Sequence, residues 1–417
     1  MKYLDRLDII SDNQFGFRAM RGTSDAIVDI YEYVFSSFEK SEHSIAVLLD
    51  FSKAFDTVSH NILLSKLEHV GIRGNSLSWF HSYLHERRQF VQAADDVSNC
   101  ADMMFGVPQG SVLGPLLFII YINDMRFSSE ILKFVHYADD STVFLSHCDV
   151  RELFRAVERE LDKVVRWLSV NRLSINVGKT FFLVFSNREI PSDMIIRMDD
   201  VTLRRIEERE FLGIILADDL CFREQINRVC KKLSRGAGIM YRVSGMVPKE
   251  VLKKVYFAVV YPYLCYAVAT WGGSGTGNCN RVTRAHRRAV KLLGSVNGKD
   301  YLSSHNLLSF ESIHDYFVLV KIFRAIHQEN HKALTEKLNE LRPAHSYPTR
   351  FDIALNFNVP KFNKSTTHRS FLYRGISLWN SLPVDLKRCD TLFSFKRRLK
   401  DYLRNNQDIS LYTPSHL

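Results

Sequence analysis

Along this chain the spacing of apolar residues changes in a definite order. Residues 24–40 (SDAIVDIYEYVFSSFEK) place Ile27, Ile30, Tyr31 and Val34 at helical spacing behind a Ser24 cap. Residues 44–50 (SIAVLLD) form a short continuous apolar run, which predicts a buried strand ending in an aspartate. Amphipathic helices are expected over 60–70, stopped at Gly71, and over 77–86, with an edge strand at 89–93. Residues 110–124 (GSVLGPLLFIIYIND) read as a loop feeding a buried helix. The clearest hairpin is 131–146, with ILKFVHYA and STVFLS on either side of a tight Asp-Asp turn. A long amphipathic helix follows over 150–171, then short strands at 173–177 and 181–185 around Gly178, and another at 211–216.

From about residue 222 the period stays helical. Basic helices are expected over 223–244, 249–261, 280–294 and 312–328, with a linker or turn at Gly272–Gly277. The tail, 341–417, has weaker periodicity and several prolines, and ends in a basic helix over Ser394–Arg404. Strands alternating with helices, followed by helices alone, predict an α+β domain and then an α domain. The expected boundaries are 1–220, 221–330 and 331–417.

Charge sharpens this division. The chain of 417 residues carries a net +10. Residues 1–222 hold 24 Lys and Arg against 33 Asp and Glu, whereas residues 223–417 hold 32 against 13. A basic half beside an acidic half suits a polyanion held by one part and metal chemistry in the other, although a solvated basic surface would look the same. The seven cysteines are scattered without CxxC spacing, so neither a disulfide framework nor a zinc finger is expected. The most apolar stretch, Val255–Trp271, is short for a membrane span and is interrupted by Pro262; a buried helix is expected there, and no membrane partner.

Three carboxylates stand out. Asp50 ends an apolar strand, and Asp139 and Asp140 sit at the tip of an apolar hairpin. Alone, each has an ordinary explanation, as a strand-end cap or a hairpin turn. Together, carboxylates from adjacent strand ends make a hard-oxygen site suited to Mg²⁺. A pair of such ions about 3.5–4 Å apart can activate an attacking hydroxyl and stabilise a leaving oxygen.

The segments around these residues carry a resemblance. LLDFSKAFDTV (48–58), GVPQGSVLGPLLFIIYIND (106–124) and FVHYADD (134–140) resemble palm motifs of reverse transcriptases. QFGFRAMRGTSDAI (14–27) resembles the family's template-contacting motif, LSINVGKT (173–180) its N-x-x-K-T motif, and FLG (211–213) its primer grip. The six stand in family order. FSKAFDTV, PQGSVLGPLLF and HYADD resemble the non-LTR, LINE-type retrotransposon branch, as do AVATWGG (267–273) and LWNSLP (378–383).

The resemblance implies a right-hand polymerase palm with partial fingers in 1–220, a helical thumb in 221–330, and a basic C-terminal region of unclear role. It implies an RNA template, a DNA primer, dNTPs and two Mg²⁺ ions, with Mn²⁺ as substitute. Asp50, Asp139 and Asp140 would hold the metals, helped by the Phe51 carbonyl. Phe55 would stand where a ribose 2′-OH projects, or simply fill core. Gln109 and Gly110 would touch the incoming nucleotide. Lys179 would act as general acid on the leaving pyrophosphate, or be a surface lysine. Arg18 and Arg21 would contact template phosphates, and Phe211, Leu212 and Gly213 the primer. Thumb candidates are Arg228, Lys231, Lys232, Arg235, Arg284, Arg287, Arg288 and Lys291.

The family's upstream YRPIS-type fingers motif, an endonuclease and an RNase H-like acidic set are not recognisable in these residues. A 5′-truncated copy is therefore expected, with a catalytically impaired nucleic-acid-binding remnant as the alternative. A nucleotide cyclase would need neither the PQG motif nor a primer grip. Nuclear action is expected by family analogy, with KRRLK (396–400) a weak localisation run.

Overall fold

The structure is a computed structural model that describes residues 2–294, 301–327, 332–343, 354–362, 364 and 367–406. The chain divides into two compact units. The first comprises residues 1–26 and 40–207, and the second residues 27–39 and 208–417.

The first unit is built on five strands: β1 (His43–Leu49), β2 (Lys133–Tyr137), β3 (Asp140–His147), β4 (Phe181–Phe185) and β5 (Arg204–Arg205). Their order is β5-β4-β1-β3-β2, and every pairing is antiparallel except β5 with β4. Ile45, Val47 and Leu49 of β1 join Val143 and Leu145 of β3 and Phe182 and Val184 of β4 in one apolar cluster. Alternate residues of β1 and β3, such as Ala46 and Phe144, are also buried, which is why these strands read as continuous apolar runs.

Three helices supply much of the rest of that cluster: α1 (His60–His69), α2 (Gly114–Ile122) and α3 (Val150–Val170). Seven of the nine residues of α2 are buried, so it has no polar face to show in a sequence plot. Helix α3 is the opposite case, with Leu153, Val157, Leu161, Val164 and Leu168 on one stripe. It starts where the Asp149 carboxylate accepts from the Glu152 N–H, the N-cap arrangement that satisfies an orphan amide.

Several expected elements differ. The β2–β3 turn is Ala138-Asp139, so Asp140 already belongs to the strand. The strand expected at 173–177 is a single bridge between Ile175 and Phe51, followed by a 3₁₀ turn over Val177–Lys179. Hydrogen bonding of Asn176 to Asp50 and of Ser52 to Ser174 uses up the pairing after one residue pair. The strand expected at 211–216 is a hairpin, β6 (Glu208–Phe211) and β7 (Ile214–Ala217), turning at Leu212-Gly213. Its residues fall in the second unit, ahead of the expected boundary at 220.

The second unit is helical, with α4 (Arg223–Val243), α5 (Lys249–Val259), α6 (Thr276–Lys291), α7 (Phe310–Ile326), α8 (Phe371–Ser381) and α9 (Leu392–Asn405). Helix α7 is buried on nearly every side and is packed by α6, α8 and α9. Among the described residues, α8 and α9 pack on α7, and the compact unit that holds them runs from 208 to 417, across the expected boundary at 330.

The tail motifs explain themselves as packing. Trp271 is fully buried, donates to the Tyr266 carbonyl and stacks on Phe310 at 5.6 Å. Trp379 donates to the Leu355 carbonyl, and Phe395 stacks on Phe323 at 4.2 Å. The buried Glu32 carboxylate accepts from the Phe371 N–H at 2.7 Å and so caps α8. Gly236 lets α4 approach α5, since a Cβ there would lie 2.5 Å from the Val259 carbonyl oxygen.

The apolar stretch 255–271 is broken into three short helical pieces. Among the described residues, no helix is long and apolar enough to cross a membrane. The helix end expected at 328, and Pro348 in the tail, lie outside the described residues.

Candidate active site

Strand register brings the carboxylates to one end of the sheet. Leu49 of β1 faces Ser141 of β3, and one step further the register sets Asp50 opposite Asp140. Alternation then places both on the face away from the Val47–Val143 cluster. Asp139 sits in the adjoining turn. The Asp140 carboxyl is raised above its ordinary range, first because protein displaces water around it, then because of the charges of Asp139 and Asp50. Such unrelieved like charge on hard oxygen donors fits a divalent cation. Among the described residues no three His, Cys, Asp or Glu side chains are drawn close enough to grip an ion.

Asp50 is half-buried and held through its backbone on both sides. Its N–H donates to Thr180 Oγ1 at 3.3 Å, and its carbonyl accepts from the Asn176 N–H at 2.7 Å. Thr180 Oγ1 in turn donates to the Asn176 carbonyl. Thr180 of the N-x-x-K-T motif therefore positions Asp50 through its side chain, and Asn176 through its backbone alone, contacts that sequence reading missed. Their spacing around a short turn was the available signal. Lys179 is exposed at the end of the same turn. Phe51 bridges Ile175, but flanking residues make both hydrogen bonds, so its own carbonyl points away from that pairing.

The loop 106–111 is tied to the segment after Asp50. Gly106 and Val107 donate to the carbonyls of Val58 and Phe55, and Gln109 Nε2 donates to Asp56 Oδ1 at 2.8 Å. Gly106 is obligatory in this contact, because φ is +88° and a Cβ would lie 2.9 Å from Asp56 backbone atoms. Gly110, at φ +77°, borders open space. Phe55 is half-buried and packs on Phe118 at 4.5 Å. Phe55, Gln109 and Gly110 are thus brought together.

Arg18 and Arg21 lie differently from the expectation of template contact. Arg18 donates to the Ile10 and Ser11 carbonyls and pairs with Asp5 at 3.2 Å. Arg21 donates to the Asp12 and Gln14 carbonyls and pairs with the Asp12 carboxylate. Their side chains are only 7% and 9% exposed, so both guanidinium groups organise the loop that carries them.

In the second unit, Phe211 is buried and Leu212-Gly213 form the hairpin turn, both at positive φ. The Tyr266 hydroxyl donates to the Leu212 carbonyl at 2.5 Å. A separate cleft of about 550 Å³ is lined by Asn227, Cys230, Lys231, Ser234, Arg235 and Arg281. Another, of about 450 Å³, gathers Arg284, Arg287, Arg288 and Lys291. Of the remaining thumb candidates, Arg228 is paired with Glu210 at 2.8 Å, and Lys232 lies over the Tyr263 ring.

The chain is 28% identical over 297 residues to the probable RNA-directed DNA polymerase from transposon BS of Drosophila melanogaster, covering 68% of this chain and 33% of that protein. It is 29% identical over 298 residues to the RNA-directed DNA polymerase from mobile element jockey of Drosophila funebris, covering 68% and 32%. The chain thus spans about a third of the length of these curated relatives. Among solved structures, one of telomerase from Candida albicans with a fragment of telomeric RNA aligns at 13% identity and a TM-score of 0.40, over 82% of this chain and 58% of that one. Residues 1–216 match the family described as reverse transcriptase (RNA-dependent DNA polymerase), and the chain belongs to that family.

Proposed function

We propose that this chain is the RNA-directed DNA polymerase of a non-LTR retrotransposon, extending a DNA primer on an RNA template with dNTPs. The observation that carries the reading is that strand register brings Asp50, Asp139 and Asp140 to one sheet end, where loss of water first, and then the charges of Asp139 and Asp50, raise the Asp140 carboxyl. Asp50 and Asp139 would hold Mg²⁺, or Mn²⁺ in its place, with the Phe51 carbonyl, and Asp140 would stand nearby. When bound, two such ions activate the primer hydroxyl and neutralise the leaving oxygen.

The other residues act by placement. The Phe55 ring would exclude a ribose 2′-OH. Gln109 and Gly110 would border the incoming nucleotide, with open space beside Gly110. Exposed Lys179 would hold a proton for the pyrophosphate. The Leu212-Gly213 turn would support the primer, and the basic clefts of α4 and α6 would bind phosphates in the manner of a thumb. In this reading residues up to about 220 act as palm with part of the fingers, and action is nuclear. Arg18 and Arg21 are left to their loop.

Primer extension on poly(rA)·oligo(dT) with dTTP and Mg²⁺ tests the proposal. Synthesis by the wild type, lost in the Asp139→Asn, Asp140→Asn double variant, supports it. Absence of synthesis by a folded wild type overturns it.

A further inference from the structure

The segment 13–16 lies along the outer edge of β2. Asn13 accepts from the His136 N–H, the Phe15 N–H donates to the His136 carbonyl, both at 2.8 Å, and Gln14 and His136 form a parallel bridge. The Gln14 side chain then turns toward the hairpin tip. Its Oε1 accepts from the Ala138 N–H at 3.2 Å and from the Gly16 N–H at 2.8 Å. Gln14 is 2% exposed, so water has little access to replace these bonds. The Nε2 end of the same amide is buried with no partner among the described residues, which marks the side chain as kept for its acceptor.

Ala138 needs such support. It is the first residue of a two-residue hairpin turn and holds φ +56°, a conformation that glycine adopts freely and alanine resists. Gly16 presses on the same peptide, since a Cβ there would meet the Ala138 nitrogen at 2.5 Å and the Tyr137 carbonyl carbon at 3.0 Å. The residue after Ala138 is Asp139.

We infer that Gln14, backed by Gly16, is a positioning residue that fixes the Ala138-Asp139 turn and thereby the aim of the Asp139 carboxylate. This rests on the polymerase reading for its catalytic consequence, but the lock itself does not. Gln14→Met keeps length and volume and removes the acceptor. Amide exchange at Ala138, Mn²⁺ affinity by electron paramagnetic resonance, and primer extension are read on the same full-length protein.

Exchange at Ala138 should rise at least about tenfold, the loss of one buried bond. Mn²⁺ binding should weaken, and kcat should fall about tenfold with the template–primer KM unchanged. Ala138→Gly added to Gln14→Met should restore much of kcat, because glycine holds the turn unaided; a merely destabilised fold would not recover this way. Should Gln14→Met fail to fold, Gly16→Ala displaces the same peptide and should give the same pattern. Unchanged exchange at Ala138 overturns the lock. Faster exchange with unchanged Mn²⁺ affinity overturns the positioning role. A wild type that binds Mn²⁺ but makes no DNA, with faster Ala138 exchange and weaker Mn²⁺ binding in Gln14→Met, refutes the polymerase reading and leaves the lock standing.

Discussion

Two hairpin turns in this molecule solve the same local problem in different ways. Ala138-Asp139 and Leu212-Gly213 are both two-residue turns that place a non-glycine residue at positive φ. The first is held by a buried amide that accepts from the turn N–H. The second is held by Tyr266, 41% exposed, which donates to the turn carbonyl. A buried bond cannot be exchanged for water, whereas an exposed one can, so the first turn is the stiffer. That difference suits their proposed tasks. A metal-binding carboxylate tolerates little misplacement, and a surface that supports a polymer strand tolerates more.

The comparison breaks most sharply at the charge itself. Asp139→Asn should lower primer extension on the order of a thousandfold, measured as kcat, while template affinity by fluorescence anisotropy stays unchanged. Retained synthesis would show that the first turn has no special burden.

Acid comes next, and here the two units should respond alike. His136, behind the first turn, is buried and pushed down to about 4, and His286 in the second unit is also pushed down to about 4. In the unfolded chain each titrates near 6.5 and takes up its proton first as pH falls. Stability is therefore full above about pH 6.5 and is lost progressively toward pH 4. Between pH 7 and 5 each histidine should cost about 2 kcal/mol, read from urea midpoints. His136→Gln should flatten the response of the first unit only.

Thr180→Val keeps the shape of the side chain and removes the acceptor for the Asp50 N–H. A loss of about 1 kcal/mol is expected, or roughly fivefold in kcat. Tyr266→Phe should do least, about twofold to threefold in primer KM with kcat unchanged, because water can take over at the Leu212 carbonyl. An effect of Tyr266→Phe as large as that of Thr180→Val would erase the contrast between the turns.

Much of this was legible in the sequence. The β1 strand, the β2–β3 hairpin and α3 follow from period and capping, because each has one dominant local signal. The three carboxylates stood out as charges at the ends of apolar runs, and the motifs around them, more than their own positions, set them apart from an ordinary cap and turn. What stayed hidden were polar contacts between distant segments. Gln14 reaches Ala138 across 124 positions and Thr180 reaches Asp50 across 130. No periodicity records such pairs. The inward course of Arg18 and Arg21 was hidden for the same reason, since a loop's own carbonyls compete with any outside phosphate only once the loop is folded. The split of 208–217 into a hairpin was obscured because Leu212 is an unlikely residue for a turn at positive φ.

The segment 13–16 has a consequence outside catalysis. Strand β2 ends the sheet, and its outer backbone groups at His136 are taken by residues 13 and 15. An uncovered strand edge is a template on which another chain can add. Changes that loosen this cover should appear first as self-association during expression and storage, with inclusion bodies and slow precipitation, before any assay of synthesis reports a defect.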